Sequence, residues 1–264
     1  MVPVFQPFPM LGTRRAQAWR YHPAYRRPRH VHDESEFNLV LAGTGAMSLG
    51  SLRIELHPGL LLWLPPGVDH CLERASSDFD LVVVGFDAEL LEAVRREHGR
   101  LPCFSREVER LDRDPRALGE SLLSMADGND ERAVEQNLVG SLLALTGGVR
   151  MQGVGERAAG MLSSERTLGR DELARRLAIN RGDLSRRFQR EHGISIVEYK
   201  NRLRLMTFLR ESRERPQNLM RAALVAGFGS YSQCHRVFRD AFGVGPRDYL
   251  AAGGADPDRF EPWS

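Results

Sequence analysis

Residues 171–193 read DELARRLAINRGDLSRRFQREHG, and residues 219–243 read LMRAALVAGFGSYSQCHRVFRDAFG. Each is a short apolar helix, a tight turn and a basic helix. In the first, Leu173, Ala174, Leu177, Leu184 and Phe188 are the apolar positions; in the second they are Leu219, Ala223, Leu224, Phe228, Val237 and Phe238. Small residues, Ala174 and Ala223, stand where two helices must cross closely, and Asn180 and Ser230 are natural N-caps for the helix that follows. This is the pattern of a helix-turn-helix, with its second helix free to enter a major groove.

Arg186 and Arg236 occupy matching points of the two copies, 50 positions apart. Between the copies lies SIVEYKNRLRLMTFLRES, residues 195–212, in which Ile196, Tyr199, Leu203, Met206, Phe208 and Leu209 recur at helical spacing. Such a rod is about 27 Å long at ~1.5 Å per residue. It can hold two recognition helices near one turn of DNA, about 34 Å, apart. Over residues 157–252 the arrangement resembles the DNA-binding domain of the AraC/XylS family of bacterial transcription regulators, and GFGSYSQCHRVFRDAFGVGPRDYL, residues 227–250, follows that family's C-terminal signature. The resemblance implies double-stranded promoter or operator DNA as a partner, a small-molecule effector, a homodimer and, for an activator, RNA polymerase.

Helical geometry sorts the residues of each recognition helix. With Leu184 and Phe188 inward, Arg181, Gly182, Ser185, Arg186 and Gln189 face outward. Arginine pairs bidentately with guanine and glutamine with adenine, so Arg186 and Gln189 are base-reading candidates. Arg187 and Arg190 suit phosphate contact or plain solvation. In the second unit Cys234, Val237 and Phe238 go inward, Tyr231, Ser232, His235 and Arg236 outward, and Arg239 toward phosphate. Gly182 departs from the larger, contact-making residue the family commonly has there.

The formal net charge of +2 hides an asymmetry. Residues 1–156 carry 17 Arg/Lys against 22 Asp/Glu, a net −5; residues 157–264 carry 20 against 13, a net +7. Only the back half is expected to meet a polyanion. Three cysteines at unrelated spacings (Cys71, Cys103, Cys234) give neither a disulfide framework nor a CxxC motif. No stretch reaches the ~18 apolar residues of a membrane helix, and MVPVFQPFPMLG lacks the basic start of a signal peptide. The reading is a cytoplasmic protein with no membrane partner.

The front half predicts short strands: AQAWRYH, FNLVLAG, AMSLG, LRIEL, LLLWLP and DLVVVGFD, separated by Gly- and Pro-rich turns. Strands at this spacing make a sandwich or barrel. Before them, residues 1–14 form an extended arm, packed either on its own domain or against the DNA-binding half. Helices follow over 88–98, 114–125 and 130–146, the last ended by Gly147-Gly148 and apolar enough for a dimer seam or for packing on the barrel. The expected organisation is therefore α+β: a cupin-like β-barrel domain with its arm (1–87), a helical dimerisation segment (88–151), a hinge (152–156), the all-α double helix-turn-helix (157–252) and a disordered tail (253–264).

Within the barrel, His30-Val-His32-Asp-Glu-Ser-Glu36 fits H-x-H-x3-E-x6-G through Gly43, and Gly59 to His70 fits G-x5-P-x-G-x2-H. These resemble the two cupin motifs, with Ala24 replacing the opening glycine and Arg74 the closing asparagine. Alternate residues of a strand share a face, so His30 and His32, and Glu36 on a regular strand, point together; His70 can close the set from a neighbouring strand. Three imidazoles and a carboxylate suit zinc, iron, nickel or manganese. Without metal, the four form a polar pocket for an effector, with Trp19 and Trp63 as candidate walls. The expected function is a ligand-controlled, sequence-specific transcription regulator and not an enzyme. The alternative is a metal-dependent cupin enzyme or ligand-binding protein whose helical half binds protein.

Overall fold

The computed structural model describes residues 3–21, 27–98, 114–146 and 153–253. Its front half holds nine strands among these residues: β1 Val4–Phe5, β2 Ala16–Tyr21, β3 His30–Val31, β4 Ser35–Ala42, β5 Gly45–Leu49, β6 Leu52–Leu56, β7 Leu61–Leu64, β8 His70–Ala75 and β9 Asp80–Phe86. They form two sheets, in the orders β1-β3-β8-β5-β6 and β2-β9-β4-β7. Every pairing is antiparallel except β1 with β3.

Side chains that alternate along β4, β7 and β9 explain the layering. Val40, Leu62, Leu64, Leu81 and Val83 face inward onto Met47, Leu49, Ile54 and Leu56 of the other sheet. Phe37, Leu39, Leu61, Val82, Val84 and Phe86 face the opposite way, under three helices. These are α1 Ala88–His98, α2 Pro115–Ala126 and α3 Glu131–Thr146. A sheet covered on both faces needs unbroken apolar runs, which is why β9 reads DLVVVGF. Asp114 caps α2 with Pro115 at its first position, as its sequence predicts. Val134, Leu138 and Leu142 of α3 are buried on this sheet, so packing on the front domain accounts for that row. Residues 147 and 148, expected to end α3, lie outside the described residues, as does the tail from 254 on.

The back half contains α4 Val154–Ser164, α5 Arg170–Arg176, α6 Arg181–His192, α7 Ile196–Glu214, α8 Leu219–Val225, α9 Tyr231–Phe242 and α10 Pro246–Ala251. The expected hinge at 152–156 is corrected here: the chain is helical from Val154, and Glu156, reaching back toward the Gly153 N–H at 3.4 Å, begins the helix rather than a flexible joint. Asn180 and Ser230 do cap α6 and α9, accepting from the N–H of Asp183 and Gln233. Helix α7, 19 residues and about 28 Å long, joins the two units. Tyr199 and Leu203 pack with the first; Leu205, Met206, Phe208 and Leu209 pack with the second.

Leu224 is a further correction. It is 52% exposed, and Ala222, Ala223 and Ala226 supply the buried face of α8 and its turn. Superposing the crossing residues Ala174 and Ala223 places Leu224 opposite Arg175, a surface position. The arm satisfies both expected placements. β1 pairs with β3 of its own domain, while the Phe5 N–H donates to the Tyr249 hydroxyl of α10 at 2.8 Å.

The two turns differ at one point. Gly227 has φ +83°, whereas its counterpart Ala178 has φ +52° and is the only non-glycine with positive φ among the described residues. An alanine there carries left-handed strain of ~1–2 kcal/mol, partly offset by the lower entropy of its unfolded chain. Ala178→Gly is expected to stabilise the protein by about 0.5–1 kcal/mol, measured as a higher denaturant midpoint. A lower midpoint would show that the strain is not there.

Candidate ligand site and DNA interface

Four expected ligand-site residues come together. His30 of β3 lies directly opposite His70 of β8 in register, and His32 follows β3 by one residue. The expectation that Glu36 extends the same strand is corrected. The chain bends at Asp33-Glu34 and enters the other sheet at Ser35, so Glu36 approaches the histidines from the facing layer. Ring centroids of His30, His32 and His70 are separated by 5.8, 4.2 and 5.0 Å in the pairs 30–32, 30–70 and 32–70. Glu36 places one oxygen 3.2 Å from His32 Nε2 and the other 3.5 Å from His70 Nε2.

The backbone fixes which nitrogen faces the centre. Nδ1 of His30, His32 and His70 sits 3.0, 2.9 and 3.0 Å from the carbonyls of Pro28, Glu34 and Val68. A carbonyl only accepts, so each Nδ1 carries the proton and, in the neutral ring, each Nε2 is a lone pair. Nε2 of His32 and of His70 is buried with no aligned hydrogen bond among the described residues. Lone pairs and a carboxylate crowded out of water demand a positive charge between them.

One proton can supply it. Burial opposes charge on His32, but Glu36 and Glu34 outweigh that and raise its pKa. Burial pushes His30 well down, with His70 and Arg27 adding to it, and pushes His70 to about 4 against the pull of Glu36. For Glu36, burial alone would raise the pKa, but His70, His32 and the Asn38 amide hold it at about 2. A metal ion is the other way. The candidate ligand atoms of His30, His32 and His70 lie within 4.8 Å of one another, against the ~4.2 Å maximum for two nitrogens each ~2.1 Å from one ion. A contraction of roughly half an ångström closes that gap. Carbonyl-bound Nδ1–H groups are the outer shell that histidine ligands usually have, so the residues present fit a metal.

The cluster side chains are closely packed. His30, His32, Glu36 and His70 are each 5% exposed or less, and Phe8 stands over His32 with its ring centroid 6.4 Å away. The expected tryptophan walls divide: Trp19 packs on the inner core, whereas Trp63 belongs to the layer under the helices. Two larger cavities, of about 450 and 640 Å³, lie instead between the halves, the first beside Arg166, Arg204 and Arg210, the second beside Asp69 and Arg202.

These two cavities border contacts that the sequence did not reveal. Asp33 accepts from Arg166 and Arg210, and Asp69 from Arg202, joining the front half to the back. Ser51 of the β5–β6 turn also donates to the Gly193 carbonyl, at the C-cap of α6, at 2.8 Å.

Across the molecule, the expected DNA-facing residues are accessible. Arg181, Arg186, Gln189 and Arg190 on α6, and Ser232, Arg236 and Arg239 on α9, are exposed; Ser185, Tyr231 and His235 are half-buried. The two anchors differ. Arg186 is ion-paired to Asp183 and Arg181 to Asp171, whereas Arg236 has no ion pair among the described residues. Exposed pairs of this kind contribute little, so DNA can displace them. Gly182 does not need to be glycine: a Cβ there would meet only ordinary contacts, at 3.4 and 3.5 Å.

A family described as the AraC-like ligand-binding domain matches residues 13–143, and one described as a helix-turn-helix domain matches residues 173–252. The chain belongs to the AraC family of transcription regulators. It is a ligand-regulated, DNA-binding protein, and the AraC-like ligand-binding match takes in helices α1 and α2 and most of α3 together with the sheets. Among solved structures it is similar to ToxT from Vibrio cholerae, at 12% identity over 89% of this chain and 97% of that one, with a TM-score of 0.44. A second ToxT structure, bound to an unsaturated fatty acid, gives 14% identity, coverage of 92% and 97%, and a TM-score of 0.45. The AraC-like transcriptional activator CuxR gives 16%, 72% and 73%, with a TM-score of 0.30. No curated protein matches the sequence.

In this AraC-type framework Arg186→Ala and Arg236→Ala are each expected to weaken binding to a preferred DNA site by about 1–3 kcal/mol and to relax preference at one base pair. Affinity measured on preferred and random duplexes decides this. An equal loss on both would make these arginines phosphate contacts.

Proposed function

We propose that this regulator holds one divalent transition metal ion on His30, His32, Glu36 and His70, and that the metal governs how its two recognition helices meet operator DNA. What carries the reading is the gathering of three buried histidines, with Glu36 oxygens 3.2 and 3.5 Å from His32 and His70 Nε2 and every Nδ1 already beside a carbonyl. Zinc, iron, nickel and manganese all suit imidazole with carboxylate. Bound there, the ion supplies a fixed positive charge that replaces the proton between His32 and Glu36. The role is regulatory, in keeping with the DNA-binding half that the ligand-binding domain is joined to.

A small organic effector is a second reading, favoured by the cavity of about 450 Å³ at Arg166, Arg204 and Arg210. Its size is within the ~300–1,000 Å³ of ligand sites, and its guanidinium groups suit an anion. DNA contacts are assigned to Arg181, Ser185, Arg186, Gln189 and Arg190, and to Tyr231, Ser232, His235, Arg236 and Arg239. The half-buried Val139, Leu143 and Leu145 of α3 are the seam proposed for a homodimer. The protein acts in the cytoplasm, where its DNA lies, and reaches RNA polymerase if it activates.

Elemental analysis with native mass spectrometry tests the metal. One equivalent per chain is expected in the wild type, and His32→Ala should lower metal affinity at least ~10-fold while leaving metal-free DNA affinity unchanged. Protein that takes up none of the four metals contradicts the assignment.

A further inference from the structure

Two of the clustered histidines have an aspartate as chain neighbour: Asp33 follows His32 and Asp69 precedes His70. His70 begins β8, and His32 stands just before the bend at Asp33-Glu34. Each of these histidines turns toward the cluster, while its neighbouring aspartate pairs outside it. What those aspartates meet is the DNA-binding half. Asp33 accepts from Arg166 Nη2 and from Arg210 Nη1, both at 2.8 Å. Asp69 accepts from Arg202 of α7 and from Arg29 of its own half. The two carboxylates are only 8% and 6% exposed.

A third contact joins the same segments. The Gly67 N–H donates to the His32 carbonyl at 2.9 Å. Gly67, at φ +74°, lies against α7 so closely that a Cβ would stand 3.3 Å from Leu203 Cδ2 and 3.5 Å from the Leu203 nitrogen. The stretches 32–33 and 67–70 thus carry two cluster histidines on one side and seat α7 on the other.

We propose that Asp33 and Asp69 are positioning residues that transmit the state of the histidine cluster to helix α7, and through it to both DNA-binding units; this rests on the metal reading above. Consecutive Cα atoms are ~3.8 Å apart and rigidly linked, so drawing His32 and His70 toward an ion must reorient the neighbouring carboxylates. A buried carboxylate is costly to leave unpaired, so the part-buried Arg166 and Arg202 and the exposed Arg210 either follow Asp33 and Asp69 or leave them uncompensated. Because α7 contributes to the cores of both helix-turn-helix units, its displacement moves the pair together. Neither aspartate touches the metal or the DNA.

The test uses full-length protein and zinc alone as the probe. Wild type is compared with Asp33→Asn/Asp69→Asn, and with Arg210→Gln, which removes a partner of Asp33 without altering the cluster segment. DNA affinity is measured with and without zinc, zinc uptake by titration, and the metal-free shape by small-angle scattering. All three proteins should bind zinc alike. Zinc should change wild-type DNA affinity between about fivefold and 150-fold, and that of the double variant by less than about twofold. Arg210→Gln should fall between them. The metal-free double variant should also have a larger radius of gyration, because the halves are no longer held. A double variant that keeps the wild-type zinc response and scattering profile overturns the proposal. Wild type that takes up no zinc refutes the metal reading instead. The scattering of the metal-free double variant then decides: expansion supports the positioning role, and an unchanged profile overturns it.

Discussion

Helix α7 is the constraint on which the rest depends. Its first half closes the core around Phe188 and Tyr199, its second half the core around Phe208 and Phe238. A single stiff rod therefore belongs to two helix-turn-helix units that would otherwise be independent. Its flank also carries Arg202 and Arg210, which end on Asp69 and Asp33 of the strand-rich half. Burial lowers the Arg202 pKa to about 10, with Arg29 adding to it, while its guanidinium is ion-paired to Asp69. The strand-rich half and the two helix-turn-helix units are thus joined by packing and by paired charge at the same helix.

The front half meets this rod with its most crowded polar region. Sheet β2-β9-β4-β7 is sealed by α1–α3 on one side and by the facing sheet on the other. Polar side chains are left at the end where β3, β4 and β8 come together. There the Nδ1–carbonyl contacts orient three imidazoles, and Phe8 from the arm stands beside His32. Such a cluster is satisfied by positive charge, and a proton on His32 beside Glu36 supplies it; a cation is the proposed alternative. A cluster of this kind has two charge states open to it, whereas an apolar core has one.

Much of this was legible in the sequence because it is local. Asn180 and Ser230 are caps that act within three residues, and Leu184 with Phe188 sets the face of α6. Strands β2, β4–β7 and β9 show themselves through apolar runs between turns. The histidine and glutamate set was also visible, through its spacing. What failed was where the outcome depends on the third dimension. His30 and Glu36 have the same parity, yet a bend at Asp33-Glu34 puts them in different sheets. Leu224 looks like core by type, but the phase of α8 makes it surface. The Asp33 pairs span 133 and 177 residues, and nothing in either segment's own pattern names its partner. Only the adjacency of Asp33 and Asp69 to the cluster histidines offered a clue.

The central claim is that α7 presents two recognition helices to DNA as one rigid pair. High-resolution footprinting on a selected DNA site, using protein at single-chain stoichiometry, addresses it most directly. The account predicts two protected major-groove segments about 10–10.5 base pairs apart, with Arg236→Ala erasing one and Arg186→Ala the other. A single protected segment, or two whose separation varies from site to site, would contradict it.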